Sequence, residues 1–86
     1  MTHESARFVF KGAFQTESFV EFARHRAERL GLDVQFGQAS VEAVAVKVSG
    51  ALELVDAFEM ACSLGPLDCF VLDVVRHGGD VAAVGA

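Results

Sequence analysis

The chain has 86 residues, a formal net charge of -5 at pH 7, 52% hydrophobic and 22% charged residues. That length holds one domain, residues 1–86, and the hydrophobic fraction excludes disorder by composition. The acidic balance speaks against nucleic acid and against anionic membrane as partners, because phosphates repel a net negative surface. Eight Phe with no Trp or Tyr place the aromatic content inside, where no ring hydroxyl or indole N–H needs a partner.

No uncharged run approaches the ~18 residues of a membrane span. The stretch Met1-Thr2-His3-Glu4-Ser5 lacks the basic-then-apolar order of a signal peptide, so the expected location is the cytoplasm. Cys62 and Cys69 lie in apolar stretches without CxxC spacing and read as buried thiols. His3, His25 and His77 are scattered, so neither a metal site nor a cofactor is expected.

In Arg7-Phe8-Val9-Phe10-Lys11 the two-residue period of a strand sets Phe8 and Phe10 on one face. Gly12 and the polar stretch Gln15 to Ser18 end it. A helix follows, with Ser18 and Glu21 reading as a capping box and Phe19, Phe22, Ala23, Ala27 and Leu30 on one stripe. Gly31 supplies the residue that takes positive φ at its end.

Asp33-Val34-Gln35-Phe36 and Val44-Ala45-Val46-Lys47-Val48 read as two strands, with Gly37-Gln38-Ala39-Ser40 as the hairpin connection. A second helix from about Leu52 to Leu64 presents Leu54, Val55, Phe58, Ala61 and Cys62 inward and Glu53, Asp56 and Glu59 outward. Gly65-Pro66 stops it. Cys69 to Val75 is the last strand of the core, which spans about 6–75. Residues 76–86 are expected to form a mobile tail, with Val81 to Val84 the segment that could add an edge strand. The order βαββαβ implies an α+β, ferredoxin-like sandwich: an antiparallel sheet with two helices on one face.

Several residues resemble the acylphosphatase family. Its members carry G-x-V-Q-G-V-x-F-R after the first strand, then a helix, then G-L-x-G-x-V-x-N, and a second helix closing at G-P. Gly12-Ala13-Phe14-Gln15-Thr16-Glu17-Ser18-Phe19-Val20 lies over the first motif and keeps Gly12, Gln15 and Phe19. Gly50 meets the glycine before the second helix, and Gly65-Pro66 meets its end. The likeness runs in register over roughly residues 6–75.

The resemblance implies three catalytic parts: an anion-binding loop of backbone N–H groups, an arginine that clamps phosphate, and an asparagine that orients water. By that correspondence the loop is Gly12 to Ser18, Val20 holds the arginine position and Gln38 the asparagine position. Val20 binds no anion. Gln38 keeps a carboxamide one methylene out of place. Thr16 stands where the motif has glycine, Ser18 at a position it leaves open, and Glu17 adds a negative charge.

Arg24, ~6 Å below Val20 along the helix, and Lys11 are candidate substitute cations. The preferred reading makes Arg24 an exposed helix residue paired with Glu21 or Glu28, and Lys11 a solvent-facing lysine. The basic middle of helix one and the acidic helix two are expected to tune helix packing.

The expected function is therefore an acylphosphatase-like domain that has lost hydrolysis, binds small anions weakly at most, and serves binding or self-association. A homodimer would form through the sheet edge or its open face, where Val9, Ala43, Ala45, Val71 and Val75 gather. The alternative is a weak or altered acylphosphatase, with Gln38 directing water and Arg24 or Lys11 supplying charge. A third reading, a small-ligand regulatory module, has no residue that selects its ligand.

Overall fold

Alternating apolar residues in the first strand continue as a long pleated segment because both of its edges are paired. The computed structural model describes residues 3–78, in the order β1 (His3–Ala13), α1 (Thr16–Arg29), β2 (Asp33–Ala39), β3 (Ala43–Ala51), α2 (Leu52–Leu64) and β4 (Phe70–Gly78). The strands form one antiparallel sheet in the order β2-β3-β1-β4. This is the expected ferredoxin-like βαββαβ sandwich.

Both helices cover the face that carries Phe8 and Phe10. Those rings stack at 5.6 Å, Phe10 meets Phe19 of α1 at 5.4 Å, and Phe8 meets Phe58 of α2 at 6.0 Å. All four are fully buried, with Val44, Val48, Val55 and Cys62 filling the space between them. Each such aromatic contributes about 2–3 kcal/mol by leaving water. Both cysteines are free and buried, as expected.

The end of α1 follows from one residue. Gly31 takes φ 70°, which lets the Leu32 N–H reach back to the Ala27 carbonyl at 2.8 Å and returns Leu32 to the core. Gly65, at φ 67°, ends α2 differently: its own N–H returns to the Ala61 carbonyl at 3.3 Å, and Pro66 after it has no N–H to donate.

Several local readings are corrected. The sheet runs beyond 6–75, from His3 to Gly78, because β1 pairs on both sides and carries its polar ends into the ladder. The sequence from Gly79 onward, including Val81 to Val84, lies outside the described residues. Helix α1 starts at Thr16, with Gln15 as an N-cap that makes no side-chain capping bond, so Ser18 is not the cap.

Gly37, Gln38 and Ala39 belong to β2, and the hairpin turns at Ser40 instead. There the Ser40 hydroxyl accepts from the Glu42 and Ala43 N–H groups, each at 3.2 Å. Such a local side-chain bond defines a turn without glycine. Phe70 is an exception to the buried aromatics, being 69% exposed.

Helix charges do not pair with each other. Asp56 and Glu59 of α2 accept from Arg76 of β4 at 2.8 Å each, while Glu4 of β1 lies 3.6 Å from its other nitrogen. The guanidinium also lies 5.3 Å from the Phe8 ring centre. Burial works against the Arg76 charge, but the bonds to Asp56 and Glu59 outweigh it and raise its pKa. Arg76 therefore pins β4 to α2. Among the described residues no helix is long and apolar enough to cross a membrane.

Candidate functional site

The segment from Gly12 to Ser18 divides among three structures. Gly12 and Ala13 finish β1, Phe14 and Gln15 connect, and Thr16, Glu17 and Ser18 form the first turn of α1. Two of its N–H groups are committed to the β2–β3 turn: Gly12 donates to the Glu42 carbonyl at 3.0 Å and Phe14 to the Val41 carbonyl at 2.9 Å. No residue from Gly12 to Ser18 has positive φ. A nest of converging amides alternates right- and left-handed residues, and that alternation is missing here.

Gly12 has a packing reason of its own. A Cβ there would run into the Phe70 carbonyl oxygen of β4, at the point where the β1–β4 register shifts. Close approach of a neighbouring strand requires glycine whether or not an anion binds. Phe14 is likewise structural, buried with its edge against Phe19 at 4.7 Å.

Two carboxylates stand at the start of α1. Glu17 is exposed in the first turn, and the Ser18 hydroxyl donates to Asp68 at 2.9 Å. The helix dipole favours negative charge at this end, and these side chains supply it from within the chain. Cys69, next along, donates from Sγ to the Gln15 carbonyl at 3.7 Å. Burial pushes the Cys69 thiol up, the bond to Gln15 lowers it, and the adjacent Asp68 charge raises it again.

Val20 and Gln38, which the resemblance sets at the arginine and asparagine positions, lie on different elements, α1 and β2. Val20 is half-buried and packs against the core. Gln38 is exposed and borders a cleft of about 320 Å³ with Val9, Ala39, Ser40, Ala43 and Ala45, none of them from Gly12 to Ser18.

Arg24 points away from the turn, its guanidinium 5.6 Å from the centre of the Phe36 ring of β2. Its partner is thus an aromatic face on the next element, where an ion pair with Glu21 or Glu28 was expected. Lys11 stands on the open face, opposite Ala43 and Asp73. Among the described residues no group of three His, Cys, Asp or Glu side chains could hold a metal ion.

Asp68 is the residue that sequence reasoning missed, and Cys69, read as a buried thiol, was not connected with Gln15. The Ser18–Asp68 contact joins positions 50 apart, with no periodic pattern or motif to connect them.

Four antiparallel strands with two helices on one face define the ferredoxin-like class. Within it the architecture is that of the acylphosphatases. The acylphosphatase from Coxiella burnetii superposes with a TM-score of 0.80 at 21% identity, over 88% of this chain and 80% of that one. The acylphosphatase from Bacillus subtilis gives 0.80 at 18% identity, over 90% and 84%. The chain thus has an acylphosphatase-like fold. By sequence it matches no family model and no curated protein.

Proposed function

We propose that this domain does not hydrolyse acyl phosphates and serves as a self-association module of the cytoplasm. The observation that carries the reading is the exposed apolar start of the edge strand. Phe70 and Leu72 of β4 are both exposed, Leu72 at 80%, with Leu67 exposed in the connection before them, while Met60 and Leu64 border a separate groove between the helices with Phe22 and Ala57. Patches of this kind on a small domain mark contact surfaces.

A second copy is the partner proposed. Among the described residues strand β4 lies at the edge of the sheet, and an antiparallel edge can pair with its own two-fold mate, setting the same apolar side chains against themselves. Loss of hydrolysis is supported by Val20 at the arginine position, by the committed N–H groups of Gly12 and Phe14, and by the carboxylates of Glu17 and Asp68. The two free cysteines suit a reducing compartment. The rival hydrolase would need Arg24 to leave Phe36.

Sedimentation equilibrium tests the association. A reversible dimer is expected at micromolar concentration, weakened by about tenfold or more in Leu72→Lys. A monomer at every concentration, or a dimer indifferent to Leu72→Lys and Phe70→Lys, would contradict it.

A further inference from the structure

The face of the sheet turned away from the helices carries a row that folding alone does not favour. Gln35 of β2 stands opposite Lys47 of β3, Lys47 opposite Arg7 of β1, and Arg7 opposite His77 of β4. All four are exposed. Directly opposed residues have Cβ atoms about 5 Å apart, and like charges so placed destabilise a sheet. Arg7 and Lys47 are such a pair.

The carboxylates on this face lie outside the row itself, although Asp33 lines a pocket together with Gln35 and Lys47. Asp33 is opposite Ser49, one row toward one end, and Asp73 is opposite Lys11 toward the other. Every salt bridge among the described residues belongs to Arg76, on the helix side. The row is thus a local concentration of positive charge on a chain whose net charge is -5.

Beside the row lies an apolar floor. Val9 sits opposite Ala45 and Val75, and Gly37 adds no side chain beside Ala45, where a Cβ would make only ordinary contact with the alanine methyl at 3.5 Å. Small residues on neighbouring strands leave a shallow cavity of about 410 Å³, bordered by Arg7, Lys47, His77 and Gln35 above the floor of Val9 and Ala45. That volume suits a small metabolite.

We infer that this face binds a small organic anion with a phosphate or carboxylate head and a flat apolar body. The Arg7 fork and the Lys47 ammonium take the head, since guanidinium presents paired donors to an oxyanion. The His77 ring and the Gln35 amide add further donors. The body lies on Val9 and Ala45, where the absence of side chains at Gly37 and of bulk at Ala45 admits a planar group. The site is separate from the segment Gly12 to Ser18 and does not depend on self-association.

Titration with phenyl phosphate, followed through backbone amides by NMR, tests this. Saturable shifts are expected at Arg7, Val9, Ala45, Lys47 and His77. Inorganic phosphate, lacking the apolar body, should bind the same amides more weakly, and benzoate should compete. Arg7→Gln should weaken phenyl phosphate by about tenfold or more, while Arg29→Gln on α1 leaves it unchanged. Both positions are exposed, so neither change threatens the fold.

Three results would overturn the inference. One is no saturable shift on this face; another is shifts centred on residues 12–18. The third is shifts at the same amides from raising protein concentration without ligand, which would assign the face to a second copy. Sedimentation of the same samples reports separately on the β4 edge.

Discussion

Val20 is where the chemistry of a single side chain separates this chain from an anion-clamping one. It lies in the second turn of α1 and packs half-buried against the core. A longer side chain there has a route to solvent, along which an arginine can keep its charge hydrated. Val20→Arg should therefore lower unfolding stability by only about 1–2 kcal/mol in urea titration. A loss beyond ~3 kcal/mol would mean that the position is sealed and the charge stranded.

At this scale the sequence was partly legible. A motif supplied the register that singled out Val20 and Gln38, and the structure places the first half-buried in α1 and the second exposed in β2. Asp68 could not be singled out, since its contact with Ser18 exists only once the α2–β4 connection folds over the start of α1. The partner of Arg24 was missed for the same reason. Local spacing offered Glu21 and Glu28, and tertiary packing offered Phe36.

Among the elements, α2 was read at its observed bounds because Gly65-Pro66 ends a strongly periodic run. The strands were read too short. Alternation marks the part of β1 that faces the helices, but His3 to Ala6 are strand only because β3 and, from Ala6, β4 pair with them. Ser40 was taken as the last residue of a glycine-led loop, although its hydroxyl organises the turn.

Helix α2 also carries a titration. Burial pushes the Cys62 thiol up to about 12 from an ordinary 9.0, with the Arg26 charge opposing only part of that rise. The unfolded chain therefore releases this proton first as pH increases. The contribution of Cys62 is intact below pH 9.0 and is lost as pH climbs toward about 12. The chain has no Tyr to add its own alkaline titration. Urea unfolding at about pH 8 and about pH 10.5 should show a fall in stability that is smaller in Cys62→Ala. Equal falls in both proteins would place the titration elsewhere.

For the whole molecule, fold and chemistry come apart. The acylphosphatase-like architecture rests on the Phe core, the turns at Gly31 and Gly65, and the pairing of β1 with both neighbours. None of these requires an active site. Gly12 shows how the two demands overlap, since its missing side chain is needed for β4 to approach and is also what an anion cradle would ask for. Such a coincidence lets a glycine of the motif be explained by packing alone.

Hydrolysis of a synthetic acyl phosphate, measured against the spontaneous reaction, tests the central claim most directly. Removing one charge-stabilising donor from such a site typically lowers the rate ~10²-fold, and here the arginine and the converging amides are both missing. The expected rate is that of the buffer alone at every protein concentration. Turnover that rises in proportion to protein and disappears in Gln38→Ala or Arg24→Ala would contradict the claim and make the domain an enzyme.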